Sequence, residues 1–316
     1  MTSATRSNPS LTLTVGSRGS KLALVQTRMV IDALGRIAPD VTVAVRIIRT
    51  EGDRNQHDSL TALGGRGVFV GEIEEQLLEG EIDFAVHSLK DLPASQPAGV
   101  CLVAVPERAD ARDVLVARNG LSLDQLPQGA RIGSSSERRS SQLLALRPDL
   151  QNRNIRGNVG TRLRKLDENE YDAIVLAAAG IARLQLENRV SQYFSTAEML
   201  PAVAQGALVV ECREDDQLLR ELFVPLDHQD TRTAVMAERA FLRGLGGGCQ
   251  MPIAAHATLK GGELRLEGLV ARRDGQRIVR DEIIGASAEP ETLGAELSRR
   301  VLEKGGALLE MTNHHR

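Results

Sequence analysis

The 316-residue chain is 42% apolar and 26% charged with a formal net charge of −3, an ordinary globular mixture long enough for two or three domains. Aromatic residues make up only 2% and tryptophan is absent, so the cores must be aliphatic, and single-strand nucleic-acid binding by stacking on aromatic rings is disfavoured. No apolar run is long enough to span a bilayer, and residues 1–10 are polar with no apolar segment of the secretory kind, which points to a cytoplasmic protein.

In chain order, an alternating apolar run over 11–15 predicts a strand that enters the turn Gly16-Ser17-Arg18-Gly19-Ser20. Ser20 is a candidate N-cap for a helix carrying Leu22, Val25, Met29, Val30, Ala33 and Leu34 at three-and-four spacing. A strand over 41–48, a helix over 69–78 and a strand over 84–86 continue a β-then-α rhythm, which favours a parallel sheet covered on both faces. A second set begins with a strand over 114–116. The strand 131–132 then runs into Gly133-Ser134-Ser135-Ser136, a helix over 138–146 and a continuous apolar strand over 173–176. The run 208–210 reads as one more strand, a candidate to rejoin the first sheet.

The last part differs. A helix over 231–242 ends in Gly244-Leu245-Gly246-Gly247-Gly248-Cys249. Strands over 254–259, 264–271 and 277–284 follow, joined by Gly261-Gly262 and Asp274-Gly275, both strong hairpin signals. A helix over 290–302 closes the unit. The expected fold is therefore two α/β domains, 10–106 with 207–224 and 112–200, around a central cleft, plus a smaller α+β domain over 229–316.

Arginine recurs at β-to-α junctions: Arg18 in its Gly/Ser turn, Arg138-Arg139 after Gly133-Ser134-Ser135-Ser136, and Arg156 and Arg162 bracketing Gly157-Asn158-Val159-Gly160-Thr161. Helix N-termini attract anions, and guanidinium adds a planar fork that matches a carboxylate or phosphate. Three such turns in a chain of negative net charge read either as ordinary caps with solvated charges or as a concentrated polyanion site. Asp91 lies just past a strand end in His87-Ser88-Leu89-Lys90-Asp91-Leu92-Pro93, where α/β sheets gather ligands. It is either a cap or a partner for Lys90, or a carboxylate kept among cations for proton transfer or for a cationic intermediate. His87 alone reads as a structural histidine.

The three cysteines form no CxxC pair and the six histidines no HExxH, so a reduced, metal-free protein is expected. Cys101 and Cys212 lie in apolar strand-like runs and read as small core residues. Cys249 follows three glycines and is a candidate accessible nucleophile.

Taken together, these stretches resemble the porphobilinogen deaminase (hydroxymethylbilane synthase) family from about Leu13 through the final helix. The carrying motifs are Gly16-Ser17-Arg18-Gly19-Ser20, Ala85-Val86-His87-Ser88-Leu89-Lys90-Asp91-Leu92-Pro93 and Arg156-Gly157-Asn158-Val159-Gly160-Thr161-Arg162. Leu200-Pro201-Ala202-Val203-Ala204-Gln205-Gly206-Ala207 and Gly247-Gly248-Cys249-Gln250-Met251-Pro252-Ile253 complete the set, in the family's order.

The resemblance implies stepwise condensation of four porphobilinogen molecules to hydroxymethylbilane, with ammonia released at each coupling. It also implies a dipyrromethane cofactor held by a thioether, with Cys249 matching the attachment cysteine and Asp91 the catalytic aspartate. Arg18, Ser20, Ser136, Arg138, Arg139, Arg156, Arg162 and Arg183 match residues that the family sets on cofactor or substrate carboxylates, and Lys90 and Gln205 fall at matching site positions. The implied architecture is two periplasmic-binding-protein-like domains around a cleft, with a third carrying the cysteine loop. The family also suggests a monomer with a small-molecule substrate and neither nucleic-acid nor membrane partners. Departures are Ala62 and Arg66 where lysines are common, Gly246 for a frequent glutamate, and Glu137 where an apolar residue is usual.

Two other readings compete. A non-catalytic anion receptor explains the arginines but not the glycine-flanked cysteine. A nucleic-acid effector using Arg138-Arg139 has no recognition motif behind it.

Overall fold

A computed structural model describes residues 11–50, 70–246 and 251–305. The expectations for Ala62, Arg66 and Cys249 lie outside the described residues.

Strand β1 (Leu11–Arg18) buries Leu13 and Val15 and leads into helix α1 (Lys21–Ile37). Ser20 caps that helix, its side chain accepting from the Ala23 N–H at 3.2 Å. Strand β2 (Val41–Ile48), helix α2 (Gly71–Leu78), strand β3 (Phe84–Ser88) and strand β4 (Val100–Ala104) follow. Next come β5 (Asp113–Ala117), β6 (Arg131–Gly133), α3 (Glu137–Leu146), β7 (Gln151–Arg153), α4 (Val159–Asp167), β8 (Ala173–Ala177), α5 (Ala178–Arg183) and β9 (Gln192–Tyr193). Strand β10 (Leu208–Arg213) and helix α6 (Gln217–Phe223) precede a last group: α7 (Gln229–Gly244), β11 (Ile253–Lys260), β12 (Glu263–Ala271), β13 (Ile278–Ala286) and α8 (Pro290–Gly305).

Among the described residues these strands make three sheets, ordered β2-β1-β3-β10-β4, β7-β6-β8-β5-β9 and β11-β12-β13. The first two are mixed, not the parallel sheets that the β-then-α rhythm suggests. Strand β10 runs antiparallel to β3 and β4, and β5 antiparallel to β8 and β9. The reason is chain path. Each of these strands is delivered by a segment arriving from the other sheet, so it enters from the opposite end, and an apolar run does not encode its own direction.

The cores are aliphatic, as the composition requires. Leu13, Val15, Val30 and Leu34 pack with Phe84 and Phe223 in the first, and Leu115, Ile132, Leu143 and Val175 with Phe194 in the second. Cys212 is fully buried, and Cys101 faces it across the β4–β10 pairing with the sulfurs 3.8 Å apart. In the last unit α7 and α8 approach so closely that a Cβ on Gly294 would stand 2.3 Å from the Ala237 carbonyl oxygen. No helix among the described residues is long and apolar enough to cross a membrane.

Two segments, 105–112 and 194–207, carry the chain between the first two sheets, and they touch. The Ala109 N–H donates to the Gly206 carbonyl at 3.3 Å. Gly206 has φ +89°, and a Cβ there would meet the Ala109 oxygen at 2.4 Å, so only glycine fits. Arg108 forks onto Glu238 of α7 at 2.6 and 3.1 Å and donates to the Gln205 carbonyl at 2.7 Å. The fully buried Glu238 also accepts from the Ala204 and Ala257 N–H groups at 2.6 and 2.8 Å. The crossing is thereby tied to the last unit through one satisfied carboxylate.

Candidate active site

Where the two crossing segments meet, the ends of β1, β3 and β8 and the starts of α1, α3, α4 and α5 enclose a cavity of about 360 Å³. Asp91 reaches it from a 3-10 turn, Leu89–Asp91, that continues β3. That turn is anchored by the fully buried Leu89, whose N–H donates to the Ala207 carbonyl at 3.0 Å, and by Leu92, only 2% exposed. Asp91 itself is exposed to the cavity. Around it stand Arg18, Lys90, Arg139, Arg156, Arg162 and Arg183.

Each cation is delivered by local chain geometry. Asn158 caps α4 by accepting from the Thr161 N–H at 3.0 Å, which turns the chain so that Arg162 can donate from Nε to the Gly157 carbonyl at 2.8 Å. Arg183, in the last turn of α5, donates to the Gly206 carbonyl at 2.7 Å, while its buried Nε has no hydrogen-bond partner. Arg139 leaves the first turn of α3 with both Nε and Nη2 on Asp113 Oδ1, at 3.0 and 2.7 Å, and Nη1 on the Val175 carbonyl at 3.1 Å. Ser20 lines the cavity, with Gln26 and Ser88 joined by a 2.9 Å hydrogen bond.

Burial, joined at two of the cations by a neighbouring guanidinium, lowers the proton affinities. Burial, then the neighbouring Arg139, lowers Lys90 to about 8, with Asp91 and Asp113 opposing. Burial, then Arg139, lowers Arg162 to about 10, and burial lowers Arg183 to about 10. Cations held this way are poised to gain from an arriving anion.

Eight of the residues singled out in the sequence therefore share one cavity: Arg18, Ser20, Lys90, Asp91, Arg139, Arg156, Arg162 and Arg183. Ser136, Arg138 and Gln205 do not line it. Ser136 sits at the start of α3 without a side-chain capping bond. Arg138 is 4% exposed and turned inward, its Nη1 on Asp113 at 2.6 Å and on the Leu200 carbonyl at 3.0 Å. Gln205 is fully buried behind the cavity, accepting from Lys90 Nζ at 3.2 Å. His87 is buried with Nε2 3.3 Å from Glu211 and borders a smaller recess that also reaches Asp91. Ser135, Gln26 and Ser88 of the lining and Asp113 behind it were not singled out from sequence. For Asp113 the available signal is an acid opening the otherwise apolar strand 113–117.

Comparison with known proteins gives two family-model matches: "Porphobilinogen deaminase, dipyromethane cofactor binding domain" over residues 13–221 and "Porphobilinogen deaminase, C-terminal domain" over 232–303. A porphobilinogen deaminase of Roseiflexus sp. (strain RS-1) is 52% identical over 94% of this chain and 98% of its own. Those of Pelobacter propionicus and Brevibacillus brevis are 50% and 48% identical, covering 96% and 92% of this chain and 97% and 94% of theirs. Among solved structures, the periplasmic aliphatic sulphonate binding protein SsuA from Escherichia coli is similar with a TM-score of 0.39 and 14% identity, over 75% of this chain and 70% of its own. The methionine binding protein MetQ has a TM-score of 0.43 at 14% identity, over 69% of this chain and 90% of its own.

Proposed function

The chain belongs to the porphobilinogen deaminase family, and from that premise we propose that it is a hydroxymethylbilane synthase, a transferase of tetrapyrrole biosynthesis. It condenses four porphobilinogen molecules stepwise and releases ammonia at each coupling. The observation that carries this reading is the charge layout of the cavity, in which the carboxylate of Asp91 faces five arginines and Lys90.

Porphobilinogen brings an acetate, a propionate and an aminomethyl group on one pyrrole. Arg18, Arg139, Arg156, Arg162 and Arg183 pair with the acidic side chains, each charge-assisted bond contributing about 1.5–3 kcal/mol where water is excluded. Asp91 accepts from the pyrrole N–H and offsets the positive charge that the ring acquires when its C–N bond breaks and the electron pair leaves with nitrogen as ammonia. A fixed carboxylate already among cations needs no reorganisation as that charge develops. Coupling then forms a carbon–carbon bond at a free pyrrole α-carbon, and the proton lost there has Asp91 as its nearest acidic acceptor in the lining.

The family's dipyrromethane cofactor fits these residues. Two pyrroles bearing acetates and propionates match the cation excess, and the unpartnered Nε of Arg183 is a buried donor awaiting an acceptor. When bound, the group supplies the free pyrrole α-carbon from which the chain of rings is extended. Its attachment by a thioether to Cys249 is part of the proposal, supported by the family match and the sequence motif around that residue.

The finer assignments belong to the same proposal. They are domains over 10–106 with 207–224, 112–200 and 229–316, supported by the three separate sheets, and a monomeric, cytoplasmic enzyme without nucleic-acid or membrane partners, as the family resemblance suggests, the net charge of −3 speaking against a nucleic-acid partner. The test is turnover: purified protein given porphobilinogen should consume it and release one ammonia per ring joined. Failure to consume porphobilinogen contradicts the assignment.

A further inference from the structure

Behind the cavity wall, Asp113 collects more donors than a simple ion pair needs. It opens β5 directly after the crossing segment 105–112 and is fully buried. Oδ2 accepts from Arg138 Nη1 at 2.6 Å, and Oδ1 accepts from Arg139 Nε and Nη2 at 3.0 and 2.7 Å and from Gln205 Nε2 at 2.9 Å. Burial alone would raise its proton affinity, but Arg138 and Arg139 hold the carboxyl well below the usual range. Its two arginine partners thus favour the ionised carboxylate.

Gln205 belongs to the other crossing segment, and its amide has one workable orientation. Its NH₂ lies against three acceptors, the Ala111 carbonyl at 2.7 Å, the Arg112 carbonyl at 3.3 Å and Asp113, so its oxygen must point the other way. That oxygen accepts from Lys90 Nζ at 3.2 Å. Of the arginine pair only Arg139 lines the cavity, and its guanidinium is clamped at three points.

We propose that Asp113 is a positioning residue joining the two sides of the site: it fixes Arg139 on the anion-binding side and, by orienting Gln205, fixes Lys90 beside Asp91 on the reacting side. If Asp113 served only to neutralise, one arginine would suffice and Gln205 would have no reason to bridge. The inference rests on reading the cavity as the porphobilinogen site. Among the described residues, the charged groups acting on Lys90 are Arg138 and Arg139 from α3, Asp91 from its own turn and Asp113 from β5. Loss of the Asp113 charge removes one of the two carboxylates that, among the described residues, favour the protonated Lys90.

The test uses the holoenzyme with Asp113→Asn and, separately, Gln205→Leu, which leaves the Asp113–arginine bonds in place. Lys90 is titrated by competitive acetylation with acetic anhydride at a series of pH values, read by peptide mass. Both variants should show a lower midpoint than the parent holoenzyme. Asp113→Asn should also lose about a hundredfold in kcat/KM, the cost of a misplacement of about 1 Å in a reacting geometry. If Asp113→Asn does not fold, Gln205→Leu decides alone. An unchanged Lys90 midpoint in the folded variants overturns the proposal whatever happens to turnover. A parent inactive on porphobilinogen instead sinks the functional reading, while the labelling still judges the network.

Discussion

Replacing Asp91 by asparagine removes the charge but keeps the shape, which separates its electrostatic role from its place in the fold. The 3-10 turn is held by Leu89 and Leu92, which are 0% and 2% exposed, and by the Leu89 N–H bond to the Ala207 carbonyl. Asp91 itself faces the cavity, so Asp91→Asn should melt within a few degrees of the parent. Its charge is another matter. A carboxylate about 4 Å from a unit positive charge in an effective dielectric near 20 contributes about 4 kcal/mol. At about 1.4 kcal/mol per factor of ten, losing that stabilisation as ammonia departs slows turnover about a thousandfold. The assay is single-turnover release of ammonia from porphobilinogen by parent and variant holoenzyme, with the melting temperature as control. A folded Asp91→Asn enzyme within tenfold of the parent would refute the electrostatic role.

Two further substitutions probe the frame. Glu74 of α2 is raised to about 7 by burial, then by Glu211, and its Oε1 lacks a hydrogen-bond partner. A carboxyl with a raised folded-state value stabilises the fold fully below its unfolded value near 4.5, and the contribution is lost as pH rises through about 7. Glu74→Gln should therefore flatten the decline in melting temperature between pH 5 and pH 7, and an unaltered profile would place the titration elsewhere. Gly206→Ala puts a methyl group 2.4 Å from a backbone oxygen at φ +89°. It should cost about 1–3 kcal/mol in a denaturant melt, and a neutral result would mean that the crossing yields more readily than its geometry indicates.

Element type was legible in the sequence wherever a pattern was local. The 11–15 alternation, the Ser20 cap and the two glycine hairpins each sit in the structure within a few residues of where the pattern puts them. Sheet direction was not legible, because whether β5 and β10 run with or against their neighbours depends on the path of segments 105–112 and 194–207. The cavity was legible as a set of arginines at turns, yet Arg138 and Arg139, adjacent in sequence, have different fates. On the first turn of α3 both guanidiniums reach Asp113, but one also lines the cavity while the other turns to the Leu200 carbonyl. An acid beginning an apolar strand marks Asp113 as unusual but does not name its two arginine partners from another element, since that pairing exists only once the sheet is formed.

The most direct test is the intact mass of the purified protein beside its Cys249→Ser variant. The account predicts a parent heavier than its sequence by a two-pyrrole adduct and a variant at its sequence mass. A parent at sequence mass, or an adduct that survives the substitution, would contradict it.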